Sequence, residues 1–202
     1  MLNPFKGKKF QLTSRFGWRT LAGSRENHKG IDLVGLDSDQ IVAIAPGTVV
    51  RSRMVTDKSN STWAWGNYVA IQQTDGNICY YCHLKERKVS VGQKVNKGDL
   101  IGIEGNTGRV YSSTGGSGIH LHIGIHDKNG VWFDIAEYMG IKNQAGVYTD
   151  NSVISNAVST HNVDHATEVC RICGLEQQTK DYLNKYTYAK DLWRKIYEHL
   201  TK

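Results

Sequence analysis

Long hydrophobic runs are absent from this sequence of 202 residues, and the segment Met1–Phe10 lacks the apolar core of a secretory signal. A membrane span needs about 18 or more continuous apolar residues, so the sequence predicts neither a membrane protein nor Sec-type export. Hydrophobic residues make up 39% and charged residues 22% of the chain, which excludes a disordered polyampholyte. We therefore expect a soluble globular protein.

Glycine is almost missing from the C-terminal quarter of the chain. Of the 21 glycines, 20 lie within residues 1–150, and only Gly174 lies beyond. Residues 1–150 also hold 18 Lys and Arg against 13 Asp and Glu, which is +5 of the total net charge of +6. A polar, aperiodic stretch at this change of composition is typical of a linker. We predict a catalytic domain at residues 1–142, a linker at 143–160 and a small module at 161–202.

Helix-period patterns of useful length are absent before Trp132. The chain there consists of short runs rich in β-branched and aromatic residues, separated by turn signals such as Pro46-Gly47 and Asp75-Gly76. This pattern predicts a mainly β, antiparallel domain, with a short closing helix within Phe133–Met139. The runs that predict strands are Ile41–Val50, Tyr68–Gln72, Ile78–Leu84, Leu100–Ile103 and His120–Ile125. Apolar positions at helical spacing between Leu183 and Leu200 predict an amphipathic helix in the small module at 161–202, the C-terminal appendage.

Five residues of the first domain carry groups suited to metal-assisted chemistry: His28, Asp32, His83, His120 and His122. Residues two apart on a strand project from the same face, so His120 and His122 bring two imidazoles side by side. A zinc ion would accept one of them and leave the other free. Two histidines, one carboxylate and an open position for water form the ligand set of a catalytic zinc site rather than of a closed structural one.

Seven sequence fragments occur in an order that resembles the lysostaphin/LytM-type zinc endopeptidases, which cut peptide bonds in bacterial peptidoglycan. The resemblance covers nearly the whole first domain, and the HxxxD and HxH elements are its most specific parts. One departure is that Val131–Ile135 has no proline where relatives often have one. The fragments are SRFGWR (14–19), HKGIDL (28–33), IVAIAPGTVV (41–50), GNYVAI (66–71), YYCHL (80–84), VGQKVNKGDLIGIEGNTG (91–108) and GIHLHIGI (118–125).

The resemblance implies a role for each of the five residues. It assigns His28, Asp32 and His122 as zinc ligands, and His120 and His83 as catalytic histidines that do not bind the metal. His120 would act as general base and pass its proton to the leaving amine, and His83 would donate to the tetrahedral oxyanion. The resemblance also implies a β-sheet groove walled by loops, with peptidoglycan as the substrate. Trp63, Trp65 and Tyr111 are candidates for lining this groove.

The remaining cysteines and histidines suggest a second site. His161, His165, Cys170 and Cys173 are four metal-capable residues within thirteen positions, and they predict a structural zinc that staples the appendage, with His199 as an alternative ligand. An ordinary thiol pair is the competing interpretation. Cys79 and Cys82 lie in a strand-like run, where residues three apart face opposite ways, and we expect them to be buried free thiols.

Two other function classes compete with a zinc endopeptidase. The first is a wall-binding or structural virion protein that uses the same fold without turnover. Loss of a zinc ligand would favour that class, and His28, Asp32 and His122 are all present. A nucleic-acid binder would need a concentrated basic helix, whereas residues 151–202 carry only +1 (seven Lys and Arg against six Asp and Glu). We expect a monomer that acts on the cell wall and binds neither nucleic acid nor membrane. With no leader apparent, the sequence predicts a phage lysin or a virion component.

Overall fold

A computed structural model describes residues 1–21, 23–112 and 115–149, together with residues 169, 170, 173, 192, 193, 195, 196 and 199. The chain divides into two compact units, Met1–Val153 and Ile154–Lys202. Among the described residues, no helix has the length and apolar character that crossing a membrane requires.

The first unit is built almost entirely from antiparallel strands, which confirms the predicted fold class. Its described residues form β1 (Lys9–Ser14), β2 (Gly17–Leu21), β3 (Ser24–His28), β4 (Ile31–Gly35), β5 (Gln40–Val42), β6 (Gly47–Met54), β7 (Asn67–Gln73), β8 (Ile78–Cys82), β9 (Glu86–Arg87), β10 (Lys94–Val95), β11 (Leu100–Ile103), β12 (Leu121–His126), β13 (Trp132–Phe133) and β14 (Gly146–Thr149). A 3₁₀ helix spans Trp63–Trp65, and α1 spans Ile135–Met139.

One large sheet forms the body of this unit, in the order β10-β6-β7-β8-β12-β4-β1-β14, with β13 paired to β12. Strands β5, β11 and β9 form a small second sheet, and β2 and β3 form a hairpin. Every paired strand is antiparallel to its partner. The strand β12, which carries the HxH motif, lies between β8 and β4 and so occupies the middle of the large sheet.

The two faces of the large sheet carry different residues because successive side chains on a strand point to opposite faces. On β12, Leu121, Ile123 and Ile125 are fully buried in the main core. The residues between them, His122, Gly124 and His126, therefore lie on the opposite face. The same alternation on β8 buries Cys79 and Tyr81 in the main core.

The predicted free cysteines are confirmed. Cys79 and Cys82 are both unpaired and buried, Cys79 in the main core and Cys82 in a second cluster with Tyr68 and Ala70. Burial raises the pKa of the Cys79 thiol to about 12, so this thiol stays protonated at neutral pH.

Helix α1 lies within the range predicted for a short helix, although β14 follows it in the first unit. Its N-cap is Asp134, whose carboxylate accepts hydrogen bonds from the backbone amides of Ala136 and Glu137. Gly140 ends the helix in the left-handed conformation. The first residue of the predicted range differs, since Phe133 forms β13 with Trp132 along the edge of β12.

Two details differ from the sequence-based expectation. The run Ile41–Val50 is two strands rather than one, because Pro46-Gly47 interrupts it and sends β5 to the small sheet and β6 to the large one. Residues 146–149, which lie in the predicted linker, form β14 and pair with β1. Alternation of polar and apolar residues in such a short edge strand is too weak to separate it from a loop.

Only eight residues of the second unit are described. Val169 and Trp193 are buried together, and Cys170 and Ile196 pack against them. The burial of Trp193 and the partial burial of Ile196 fit the apolar face predicted for the C-terminal helix, while His199 is exposed.

Candidate metal centre and active site

Three side chains converge on one point of the large sheet. His28 ends β3, Asp32 lies in β4 and His122 lies in β12. His28 Nε2 is 2.9 Å from His122 Nδ1, and Asp32 Oδ1 lies 3.2 Å from the first nitrogen and 3.0 Å from the second. Among the described residues this is the one group of three or more His, Cys, Asp or Glu whose donor atoms lie close enough to hold a metal ion.

The local fold explains why these residues meet. Asp32 and His122 are directly paired across the β4–β12 ladder, so their side chains leave the same face side by side. The turn at Gly30 brings His28 back over this pair. A Cβ on Gly30 would lie 2.4 Å from the carbonyl oxygen of Ile123 and 2.7 Å from the His122 ring, so only glycine permits the approach.

Hydrogen bonds prepare the donor atoms for a cation. His28 Nδ1 lies 2.8 Å from the carbonyl oxygen of Arg15, and because a carbonyl only accepts, Nδ1 carries the hydrogen and Nε2 keeps its lone pair. Burial by itself would raise the pKa of Asp32, but the adjoining imidazoles of His122 and His28 hold that pKa well below its ordinary value. The group thus offers two imidazole nitrogens and one carboxylate oxygen, which is a donor set that fits zinc.

His28, Asp32 and His122 are called the metal group below. Arg19, in β2, braces this group. Its Nη1 donates to Asp32 Oδ2 at 2.8 Å and also to the Ser14 hydroxyl, and its Nε donates to Glu26 at 2.7 Å. The bond to Oδ2 leaves Oδ1 of Asp32 facing the two imidazoles. From its sequence, Arg19 was left off the catalytic residues and given at most a bracing role, which is the role that these contacts support.

Replacing Arg19 with methionine is expected to weaken metal binding by roughly 10–100-fold, because outer hydrogen bonds orient the carboxylate that binds the ion. Zinc affinity measured by competition with a chromophoric chelator checks this. Arg25→Met is the matched control, since Arg25 lies in the same hairpin but contacts Trp18 instead. Equal zinc affinities for wild type and Arg19→Met would refute the bracing role.

His120 lies beside the metal group without joining it. Its Nε2 is 3.7 Å from Asp32 Oδ1, and its Nδ1 is 2.7 Å from the carbonyl oxygen of Gly118. The carbonyl fixes the hydrogen on Nδ1, so Nε2 faces the site with a free lone pair. This is the tautomer that a general base requires.

His83 approaches from the end of β8 and is the one described non-glycine residue with a positive φ, at 63°. This uncommon conformation is held by its neighbours: the His83 amide donates to Trp65, and its ring Nδ1 lies 2.9 Å from the carbonyl oxygen of Thr107. The ring centroid is 4.7 Å from that of His120. Burial, with the neighbouring histidines, lowers the pKa of His83 to about 3, so the ring is neutral at physiological pH.

The segment 104–107 supports both of these histidines. The Gly105 carbonyl accepts from the His120 amide at 3.0 Å, and Thr107 holds the ring of His83. The carboxylate of Glu104, a residue only 6% exposed, accepts from the amides of Gly35 and Leu121. Glu104 therefore fixes the start of β12 between its two histidines. The sequence analysis missed this residue because nothing in a lone glutamate near a glycine-rich loop signals burial.

Replacing Glu104 with glutamine is expected to change how stability depends on pH. Burial, together with the nearby Asp39, raises the Glu104 pKa from about 4.5 to about 7 against the opposing effect of its amide donors. In the unfolded chain Glu104 therefore loses its proton at a lower pH than in the folded protein. As pH rises from about 4.5 to about 7, wild type loses stability relative to Glu104→Gln. The full loss is on the order of 3 kcal/mol.

Urea unfolding of both proteins across pH 4.5–8 measures this difference. Glu86→Gln is the control, because Glu86 is exposed and pairs with Lys88 at the surface. A stability difference between wild type and Glu104→Gln that stays constant over the whole range would show that Glu104 titrates normally.

The other predicted site residues lie in different surroundings. Trp63 and Trp65 are partly buried in the 3₁₀ helix, whereas Tyr111 is 52% exposed in the loop that precedes β12.

Of the residues predicted to hold a second zinc, Cys170 is partly buried and Cys173 is exposed, and both have helical backbone. His161 and His165 lie outside the described residues.

Comparison with known proteins finds relatives that include a peptidoglycan endopeptidase and a murein hydrolase activator. ShyC, a peptidoglycan DD-endopeptidase of Vibrio cholerae, is 35% identical over 124 residues, which cover 57% of this chain and 26% of that protein. The murein hydrolase activator NlpD of Escherichia coli is 31% identical over 109 residues, covering 54% and 25%. The chain thus spans about a quarter of the length of these relatives.

The structure of LytU superposes with a TM-score of 0.52 at 26% identity, covering 67% of this chain and 87% of LytU. The family description that matches is Peptidase family M23, over residues 26–135. This range is more than half of the chain, and it contains the three metal-group residues together with His83 and His120. The resemblance drawn from the sequence fragments is therefore confirmed, and the chain belongs to peptidase family M23.

Proposed function

We propose that this protein is a zinc-dependent endopeptidase that hydrolyses peptide bonds in the stem or cross-bridge peptides of bacterial peptidoglycan. The observation that carries the proposal is the convergence of His28 Nε2, Asp32 Oδ1 and His122 Nδ1 beside two further imidazoles whose Nε2 atoms are unprotonated. Family membership supports the substrate, since the relative ShyC is a peptidoglycan DD-endopeptidase.

In this proposal His28, Asp32 and His122 hold the zinc ion. Bound zinc supplies a water of near-neutral pKa and polarises the scissile carbonyl. The low pKa of Asp32 keeps its carboxylate ionised for binding, and Arg19 keeps Oδ1 directed inward.

His120 is the general base of the proposed reaction. Its Nε2 takes the proton of the attacking water while Nδ1 continues to donate to Gly118. The same nitrogen then delivers that proton to the nitrogen of the leaving amine. The proton released at the first step is consumed at the second, so the ring ends the cycle in the tautomer in which it began.

His83 receives a different role from the one expected from the sequence. A donor to the oxyanion would need a hydrogen on Nε2, but the Thr107 carbonyl fixes the hydrogen on Nδ1, and the low pKa of His83 disfavours the doubly protonated ring. We therefore assign Nε2 of His83 as a hydrogen-bond acceptor that orients the attacking water. A zinc ion held by His28, Asp32 and His122 would supply the stabilisation of the oxyanion.

Digestion of purified sacculi tests the proposal. Mass spectrometry of the released fragments is expected to show new peptide amino termini and no new reducing sugar ends, with His120→Ala as the inactive control. New reducing ends would identify a glycosidase instead. Binding of sacculi without any cleavage would favour the alternative function, a non-catalytic wall-binding protein on the same fold. The similarity to the activator NlpD is the reason to test for this alternative.

The C-terminal unit, Ile154–Lys202, is the candidate for a wall-targeting module with its own zinc. The support for this proposal is the length of the unit, since a domain of only 49 residues (154–202) needs a staple. Metal analysis of the full chain would give two zinc equivalents, falling to one in Cys170→Ser. One equivalent in both proteins would leave only the site at His28, Asp32 and His122.

A further inference from the structure

The face of the large sheet that carries the metal group continues beyond it as an aromatic surface. On β12, His122, Gly124 and His126 share this face. With a rise of about 3.4 Å per residue, Gly124 lies about 7 Å from His122 along the strand. The surface next to Gly124 is therefore within reach of a substrate residue about two positions from the bond at the metal centre.

The indole of Trp132 and the backbone carbonyl of Lys29 together cover the gap left by Gly124. The indole Cζ3 atom is 3.0 Å from the place where a Cβ on Gly124 would lie, so the ring rests against the bare backbone of β12. The Trp132 ring is 5.3 Å from Tyr80, 5.2 Å from His126 and 6.4 Å from Trp65. These four rings, which we call the aromatic floor, are all partly exposed.

Lys29 adds a positive charge to the aromatic floor. It follows the metal-group residue His28 directly, is exposed, and places its Nζ 5.8 Å from the centroid of the Trp132 ring. None of the ion pairs formed by described residues includes Lys29. A cation next to an aromatic ring and without an acidic neighbour is complementary to an anionic group that arrives with a substrate.

We propose that Trp132 and Lys29 form a subsite for a peptide residue that carries a free carboxylate, about two residues from the scissile bond. The inference rests on the proposed endopeptidase function and specifies its substrate. The indole supplies a flat surface on which the peptide backbone lies, and the ammonium of Lys29 selects the acid over its amide. The floor is held in place by ring contacts among its own members, so it exists before substrate binds.

Kinetics on a matched pair of peptides test the proposal. The two peptides share one stem-peptide sequence of peptidoglycan and differ only in whether the carboxylate two residues from the bond expected to be cut is free or amidated. Lys29→Gln is expected to raise KM for the acid roughly two- to fivefold, the range of a solvent-exposed ion pair, with kcat and the amide peptide unchanged. Lys29→Glu is expected to reverse the preference between the two peptides.

Lys58→Gln is the matched control, because Lys58 also places its Nζ 5.8 Å from a tryptophan ring, that of Trp63. An equal KM change for acid and amide in Lys29→Gln, or the same change in Lys58→Gln, would overturn the carboxylate subsite. A Trp132→Leu variant that weakens binding of a disaccharide peptide but not of the free peptide would overturn it as well, since the floor would then bind sugar.

Binding separates this proposal from the proposed function. Tryptophan fluorescence titration of zinc-loaded His120→Ala with the same two peptides measures affinity without turnover, and cleavage is measured separately in the wild-type protein. Acid-selective binding that Lys29→Gln removes, without cleavage, would support the subsite and refute the endopeptidase. Cleavage with no difference in affinity between acid and amide would support the endopeptidase and refute the subsite.

Discussion

Replacing His122 with alanine is expected to remove one bound zinc equivalent and to reduce peptidoglycan hydrolysis to the level of metal-free protein. His122 supplies one of the three protein donor atoms, and catalytic zinc sites depend on three. The remaining pair, His28 and Asp32, would bind the ion too weakly to hold it through dialysis. Zinc analysis by mass spectrometry and the rate of sacculus digestion measure the two losses on the same sample.

His126→Ala is the control for this prediction. His126 lies on the same strand and face as His122, but its Nε2 contacts the Tyr80 hydroxyl at 3.0 Å rather than the metal group. This variant should keep its full zinc content. Retention of both zinc and activity in His122→Ala would show that the metal group has been assigned to the wrong residues.

Replacing His120 with alanine is expected to lower kcat by roughly 10²–10⁴-fold while zinc content stays at the wild-type level. The reason is that His120 contributes no atom to the metal group, and its Nε2, with its lone pair free, is the atom proposed to take the proton of water. Steady-state kinetics on a soluble peptide, together with zinc analysis, separate the two functions. KM should change little, because His120 is not proposed to hold the ground-state substrate.

Two outcomes would contradict the assignment of His120. Loss of zinc along with activity would place His120 among the ligands, and wild-type activity would remove it from the mechanism. Thr13→Ala is a suitable reference for the effect of a nearby substitution, since its hydroxyl contacts only the backbone oxygen of Asp32 in the structure.

The metal group could be predicted from sequence because its signal is local. His28 and Asp32 are four residues apart around Gly30, and His120 and His122 alternate on one strand. The choice of His122 over His120 as ligand came only from the family resemblance, since spacing alone treats both alike. In the structure the register of β12 against β4 separates them, because His122 pairs directly with Asp32.

The contacts of Arg19, Glu104 and Trp132 could not be assigned in the same way. Each acts through a partner on a different strand: Asp32 for Arg19, Leu121 for Glu104 and Gly124 for Trp132. Strand pairing brings these residues together, and a single sequence does not specify which strands pair. The role of His83 depends on the Thr107 carbonyl, a backbone contact that no side-chain pattern signals.

The strands also divide into those that the sequence predicted and those that it missed. Runs such as Leu100–Ile103 and Tyr68–Gln72 were identified because β-branched and aromatic residues are concentrated in them. The hairpin β2–β3 was missed because its residues are mostly polar and exposed, and β14 was missed because only four residues of an edge strand carry the pattern.

Zinc reactivation of metal-free protein tests the central claim most directly. Protein stripped with a chelator and dialysed should be inactive on sacculi. Added zinc should then restore hydrolysis in wild type but not in Asp32→Asn, which keeps the shape of the side chain and loses its charge. Full hydrolysis by the stripped wild-type protein, or equal restoration in Asp32→Asn, would contradict a catalytic zinc held by His28, Asp32 and His122.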